Sequence, residues 1–427
     1  MKLSSLIGHV TEAYAEIASS RKPADHLIDL FFRSRKYLGS HDRRFIAETV
    51  YAMLRHRRRT EWMVSRADVQ GNRHLLLCAA TLLLERKVAP EVLDAEQLLP
   101  EGTVAALAAL TECEPEGTAA AERMGLRYSF PDWMLERWFG SFGEEETESL
   151  CRSMNTPAPI TLRVNTVRCS VDECMRSLKE EGIDSVRTEF SPVGLHIPKR
   201  LNVFQLETFR KGYFEVQDEG SQLLALLVDP KPRAKVVDAC AGGGGKSLAL
   251  AAIMKNRGEI FSLDIHEFRL EELKKRIRRA GIDTIRVRPV SEEESPEELQ
   301  GAAEYVLVDA PCSGTGTIRR NPGMKWSVTP EMLRELHQKQ VRILDQYSRC
   351  VAPGGTLVYA TCSLMEEENA QVAEQFLAAH PEFEPLPPGA RLQRYGLEAL
   401  AGERFFRLMP NRHGTDGFFA AVFRRRP

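Results

Sequence analysis

Two cysteines close two apolar runs. Residues 305–308 lead into Asp309-Ala310-Pro311-Cys312-Ser313-Gly314, and residues 357–360 lead into Thr361-Cys362-Ser363. Each run reads as a buried strand that ends in a turn of Pro, Ser, Thr or Gly. A lone cysteine at a strand end is usually a small packing residue. Two, one of them following an aspartate, read instead as parts of a single site. The chemistry that uses them is nucleophilic addition. Carbon 5 of a cytosine reacts poorly with a methyl donor. A thiolate adding to carbon 6 turns the ring into an enamine and makes carbon 5 reactive, so one hard step becomes several easier ones. Electrons move toward N3 as sulfur adds, and Asp309 is placed to hydrogen-bond there. A second thiol can then assist release. Cysteine is mostly protonated at neutral pH, so one thiol needs a nearby cation or helix N-terminus. Lys246, Arg319, Arg320 and Lys325 are the candidate cations.

Upstream, the stretch VVDACAGGGGKS reads as a strand, a glycine turn and the start of a helix. Glycines let a backbone approach a ligand closely, and the helix start offers free N–H groups to an anion. A phosphate loop ending at Gly245-Lys246-Ser247 would need glycine at 240, where Cys240 stands. A dinucleotide fingerprint begun at Gly242 would need glycine at 247, where Ser247 stands. The next predicted strand ends at Asp264, placed to bond ribose hydroxyls or to cap the helix starting near Glu267. Glycine loop plus ribose acid fits an adenosine-bearing cofactor, and S-adenosylmethionine qualifies without phosphates.

The positioning elements alternate from about residue 216. Strands are expected at 236–240, 259–265, 284–290, 305–311 and 356–363, with helices between them and a last strand in DGFFAAVFRRR. This is the rhythm of an open, doubly wound parallel sheet, which binds ligands at its strands' carboxyl ends. Residues 126–215 read as a small α+β subdomain, and residues 1–125 as helical. Within the helical part, Phe45, Ile46, Thr49, Val50, Met53 and Leu54 form one stripe, and NRHLLLCAATLLLER reads as a buried helix. The run Arg55, Arg57, Arg58, Arg59 is either a solvated helix end or a phosphate-contacting patch.

The 427 residues, 43% hydrophobic and 28% charged, describe a globular chain of two or three domains. Its first twenty residues lack a signal peptide's apolar core, and no apolar run suits a membrane span, so the expected location is cytoplasmic. Nine cysteines without paired C-x-x-C spacing read as reduced thiols, neither a disulfide frame nor a metal site. A net charge of −2 excludes a general polyanion binder, so any nucleic-acid contact must be local.

Taken together, Cys240-Ala241-Gly242-Gly243-Gly244-Gly245-Lys246, Asp264, Asp309 through Gly314 and Thr361-Cys362-Ser363 resemble the Nop/Sun family of RNA cytosine-5 methyltransferases, in its bacterial RsmB-like branch. ITLRVNT (160–166), VQDEGSQ (216–222) and RHGTDGFF (412–419) are similar to further signature stretches, and 42–62 resembles the branch's NusB-like helical domain. The resemblance implies an α/β, Rossmann-like S-adenosylmethionine-dependent domain over 216–427, preceded by an RRM-like subdomain and an all-helical NusB-like domain. It implies that the loop from Cys240 to Lys246 cradles the cofactor, with Asp264 on its ribose and Asp309 between cofactor and base. It assigns the attack to Cys362 and product release to Cys312, a choice the chemistry alone leaves open. RNA is the implied partner, small-subunit ribosomal RNA in particular, with a monomer favoured and no metal. IRRNPGMKW, after the first motif, is a candidate RNA-backbone contact, with Trp326 either stacking on a base or packed in a core.

This chain departs from the family pattern at two places. Gly242 and Gly243 replace Ala-Pro in the loop. Where an aspartate usually meets the adenine amino group, this chain offers Ser291 or Glu292. The rival expectations are a non-catalytic RNA-binding scaffold and a nucleotide hydrolase built on Lys246 and Ser247.

Overall fold

The stripe in residues 45–54 lies on helix Ser40–Arg55, where Ile46, Val50 and Met53 are buried. Its neighbour Arg73–Leu84 is buried throughout 76–83. Asn72 starts that helix by accepting hydrogen bonds from the N–H groups of His74 and Leu75, at 3.0 and 3.2 Å. The structure, a computed structural model, describes all residues except Arg21, Arg200, Glu293, Glu294 and Glu403. After an irregular acidic connection come helices Ala120–Tyr128, Asp132–Phe142 and Glu144–Met154. All pack in one unit, Met1–Pro157, which also takes in Ile318–Thr329. The subdomain expected from residue 126 therefore has its first residues on helices of this unit.

The basic run is satisfied inside the unit. Arg59 is buried and donates to the carbonyls of Leu110 (3.1 Å), Thr111 (3.3 Å) and Cys113. Arg58 donates to the Phe130 carbonyl at 2.7 Å and pairs with Asp132 at 2.5 Å. Arg57 pairs with Glu61 at 3.2 Å. Arg58 and Arg59 act as internal ties for helix and loop ends that would otherwise bury unpaired carbonyls, while Arg57 stays partly exposed.

Ile318–Thr329 carries a second tie. Lys325 is fully buried, and its ammonium donates to the Arg55 carbonyl (3.0 Å), the Tyr128 carbonyl (3.3 Å) and Asn155 Oδ1 (2.7 Å). It also lies 3.7 Å from the centre of the Phe130 ring. Burial pushes its pKa well below the ordinary lysine value. Trp326 donates its indole N–H to the Leu54 carbonyl at 2.7 Å. Lys325 is thus an internal anchor of the helical unit, not a thiol-activating cation, and Trp326 is half-buried with its indole N–H tied to this unit.

The second unit comprises Ala158–Thr317 and Pro330–Pro427. Its smaller sheet contains β1 (Ile160–Val164), β2 (Val186–Arg187), β3 (Gly194–Ile197) and β4 (Phe214–Val216) in the order β2-β3-β1-β4, all antiparallel. Helix Val171–Glu180 follows β1, opened by a reciprocal cap between Ser170 and Glu173. This order with a βαβ start is the ferredoxin-like, RRM-like arrangement expected of the subdomain.

The larger sheet is built from β5 (Lys235–Asp238), β6 (Glu259–Asp264), β7 (Ile285–Pro289), β8 (Ala303–Asp309), β9 (Val351–Thr361), β10 (Phe383–Leu386), β11 (Phe406–Leu408) and β12 (Phe418–Arg425). The order is β10-β12-β9-β8-β5-β6-β7, with β11 pairing β12. Strands β5 to β9 pair in parallel, and β12 closes antiparallel on β9. The chain moves outward from β5 through β6 to β7, then returns to the other side of β5 at β8. That reversal leaves a crevice at the carboxyl ends of β5 and β8, where such sheets bind ligands. Among the described residues no helix is long and apolar enough to cross a membrane.

Replacing Lys325 by Ala strands three buried acceptors. The expected loss in unfolding free energy is about 3 kcal/mol. Thermal and denaturant unfolding measure it, and a variant as stable as wild type contradicts the anchoring role.

Candidate active site

Strand register brings the thiols together. Asp309 on β8 stands opposite Ala360 on β9 in a parallel pair. Cys312 follows three residues beyond the first and Cys362 two beyond the second, so both emerge at neighbouring strand ends. Their sulfurs lie 3.4 Å apart. Backbone bonds brace the two turns: the Gly316 N–H donates to the Cys362 carbonyl at 2.9 Å, and the Gly417 N–H to the Gly316 carbonyl at 2.8 Å. A Cβ on Gly316 would lie 2.2 Å from the Gly417 carbonyl oxygen and 2.8 Å from that of Cys362. The glycine after the cysteine motif therefore serves this close backbone approach.

The hydrogen bond to Cys362, burial, and the nearby charges of Cys362 and Glu368 push the Cys312 thiol well above its usual pKa. Cys312 keeps its proton and donates it toward Cys362. Lys246 reaches Asp309 at 2.5 Å. Burial opposes its charge, but the Asp309 carboxylate, aided by Cys362 and Asp238, outweighs burial and raises the Lys246 pKa. Lys246, one of the candidate cations, is brought to this group of side chains.

The glycine turn is shaped by its neighbours. Gly244 has φ +78°, and a Cβ there would sit 2.0 Å from Leu273 Cδ1. Asp264 binds the Gly242 N–H through Oδ2 and the His266 N–H through Oδ1, both at 2.8 Å. It thus fastens the turn to the end of β6 and keeps lone pairs for a ligand. Cys240, Ala241, Gly242, Gly243, Asp264 and Asp309 line an open cleft of about 1440 Å³. Gly244, Gly245 and Lys246 do not line it. They begin helix Gly245–Ile253, and the Lys246 ammonium turns to Asp309. Burial raises the Cys240 thiol, which stays protonated. Ser291 and Glu292 also line the cleft, and Glu292 pairs with Lys339 at 2.7 Å. A carboxylate-bearing wall beside an exposed glycine backbone, with open space where a Gly242 side chain would project, fits the adenosyl and amino-acid parts of S-adenosylmethionine.

Several residues that shape the site gave no clear sequence signal. Glu368, fully buried, accepts bonds from both cysteine turns. Asp238 lies beneath the glycine turn, its Oδ2 accepting from the Ser247 hydroxyl at 2.6 Å, while Ser262 donates to Ser247 at 2.8 Å. Glu215 on β4 pairs with Arg276 (3.0 Å) and Arg279 (2.6 Å), and Arg276 donates to the Gly243 carbonyl at 2.5 Å. The small sheet thereby supports the glycine turn. The signature stretches supply similar ties: Arg163 donates to Gln217 at 2.6 Å, and Asp218 accepts from the Asp416 N–H at 3.1 Å. Spacing cannot reveal such pairs, because their partners lie far apart in the chain.

Burial pushes the Asp238 carboxyl up to about 7, with only partial relief from Ser247. A raised acid pKa gives stability that is full below the unfolded value and lost as pH climbs through the folded one. Asp238→Asn removes this dependence. Its melting temperature should therefore rise relative to wild type between the unfolded pKa of 3.8 and the folded value of about 7. A pH-independent difference across that window contradicts the assignment.

Comparison with known proteins places this geometry. Residues 225–424 match the 16S rRNA methyltransferase RsmB/F family, and residues 130–204 match the ferredoxin-like domain of RsmF/B-like methyltransferases. The probable ribosomal RNA small subunit methyltransferase B of Bacillus subtilis is 34% identical over 306 residues, covering 71% of this chain and 68% of that protein. The ribosomal RNA small subunit methyltransferase B of Klebsiella pneumoniae is 29% identical over 408 residues, 90% of each chain. The crystal structure of a methyltransferase homolog from Pyrococcus horikoshii has a TM-score of 0.61 at 29% identity, covering 72% of this chain and 100% of that one. The chain belongs to the RsmB/F family of S-adenosylmethionine-dependent ribosomal RNA small-subunit methyltransferases.

Proposed function

We propose that this chain methylates carbon 5 of a cytosine in small-subunit ribosomal RNA, in the cytoplasm, through a transient bond between Cys362 and carbon 6. The observation that carries the reading is the 3.4 Å approach of Cys312 to Cys362 beside the Lys246–Asp309 pair. S-adenosylmethionine, when bound, supplies the methyl group. The turn from Cys240 to Gly243 and Asp264 would hold it, with Asp309 between it and the base.

Cys362 is the attacking sulfur. Its electron pair forms the bond to carbon 6, and the pair of the 5,6 double bond shifts into the ring toward N3. Asp309 passes a proton from the Lys246 ammonium to N3, and the new N3–H then donates a hydrogen bond to the carboxylate. After carbon 5 gains its methyl group and gives up its proton to water, N3 returns its proton through Asp309 to Lys246, and the carbon–sulfur pair returns to Cys362. Cys312 has kept its proton and donates a hydrogen bond to the departing thiolate, which favours release. A protonated neighbour suits that role and would be a poor first nucleophile. The raised pKa of Cys312 supports this division of labour between the thiols. The target base must leave its stack to reach both groups, so looped or single-stranded RNA is the expected substrate.

Transfer of a tritiated methyl group to RNA tests the proposal. Cys362→Ala should lower incorporation by roughly 10⁴-fold or more. Cys312→Ala should accumulate a denaturant-stable adduct with RNA. An adduct formed by Cys362→Ala but not by Cys312→Ala reverses the thiol roles. No incorporation into any cellular RNA by wild type points instead to a non-catalytic RNA scaffold.

A further inference from the structure

We propose that Glu368 is a positioning residue for the thiol pair, a single carboxylate that grips the residue after each cysteine and so sets how the two sulfurs face each other. It sits in the short turn Glu366–Glu368 between β9 and helix Ala370–Ala379. Its Oε1 accepts from the Ser313 N–H (2.8 Å) and the Gln340 amide (2.9 Å). Its Oε2 accepts from the hydroxyls of Ser313 and Ser363, both at 2.5 Å. Ser313 and Ser363 directly follow Cys312 and Cys362, so one side chain clamps both turns one bond away from the reacting residues.

The clamp is itself held on several sides. The Gln340 amide also donates to the Pro311 carbonyl at 2.9 Å, and the Tyr359 hydroxyl donates to the Glu368 carbonyl at 2.6 Å. Asn369 donates to the Ser363 carbonyl at 2.9 Å and accepts from the Thr361 hydroxyl at 2.5 Å. Both strand-end turns are therefore referenced to one turn of chain.

The charge is what argues for a role beyond folding. Glu368 has no solvent exposure, and its four donors are all neutral. Burying an ionised carboxylate among neutral donors is expensive, and a purely structural brace would be more stable with neutral groups. The titratable groups facing the Cys312 sulfur are Cys362, Glu368 and Tyr359. Glu368 contributes to the upward push on that thiol. That influence, added to burial and the Cys362 contact, favours the proton on Cys312.

The inference deepens the reading of Cys312 and Cys362 as the reacting pair, and its test separates the two ideas. Purified full-length wild type, Glu368→Gln, Glu368→Asp and the double variant Ser313→Ala/Ser363→Ala are alkylated with iodoacetamide across a pH series. Each cysteine is followed by peptide mass mapping, and methyl transfer is measured in parallel. For Glu368→Gln, the Cys312 profile should shift about one unit to lower pH. Its kcat should fall roughly hundredfold while the KM for S-adenosylmethionine stays unchanged. Glu368→Asp keeps the charge and should retain the Cys312 profile. The double serine variant should lose kcat without the pH shift, and it carries the test if Glu368→Gln fails to fold. General loss of structure would expose all nine cysteines together and is thereby distinguished. An unchanged Cys312 profile and wild-type kcat in Glu368→Gln overturn the inference. If wild type forms no methylated cytosine, the proposed function fails, while the alkylation profiles still decide the role of Glu368.

Discussion

Parallel pairing of β8 with β9 is the constraint on which the site depends. Parallel strands run the same way, so both deliver their following turns to the same edge of the sheet. With Asp309 level with Ala360, the residues just beyond each strand must meet there. A slip of one residue would turn the side chains of one strand to the opposite face and separate the sulfurs. The register is held by apolar alternation within the strands: Val306, Val308, Leu357 and Tyr359 pack in one core, Leu307, Val358 and Ala360 in another. Covering both faces of the sheet is what allows these strands to be apolar on both sides.

Charge placement then divides the work within the crevice. One side holds carboxylates, with Asp264 fastening the glycine turn and Asp309 taking the Lys246 ammonium. The other side holds the thiols over a buried carboxylate. In so little water, each interaction is stronger than it would be at a surface, and each unpaired group is more costly. Asp238 shows the penalty, since its carboxyl is driven up by burial beneath the turn. Lys246 shows the remedy, because a carboxylate at 2.5 Å keeps a buried amine charged.

The small sheet is joined to this crevice through the pairs of Glu215 with Arg276 and Arg279 and through the Arg276 bond to Gly243. The small sheet thus steadies the glycine turn. In the helical unit, Arg58, Arg59 and Lys325 donate to backbone carbonyls.

Local pattern made the alternation of strands and helices legible, along with the glycine turn, Asp264, Asp309 and the two cysteines. These are short-range features: strand ends, turns and helix starts are written in neighbouring residues, and their spacing departs by one residue from a phosphate loop and from a dinucleotide turn. Resemblance added the choice between the thiols. Hidden from such a reading were Glu368, Asp238, Glu215 and the inward-facing arginines and Lys325. Most act through a partner distant in the chain, and a glutamate or lysine in a polar stretch reads as solvated until packing removes its water. The sequence by itself thus determined which groups are available and at which strand ends they stand. Only the tertiary structure decided which thiol keeps its proton and which charges are buried, because both depend on desolvation and on contacts that the fold alone creates.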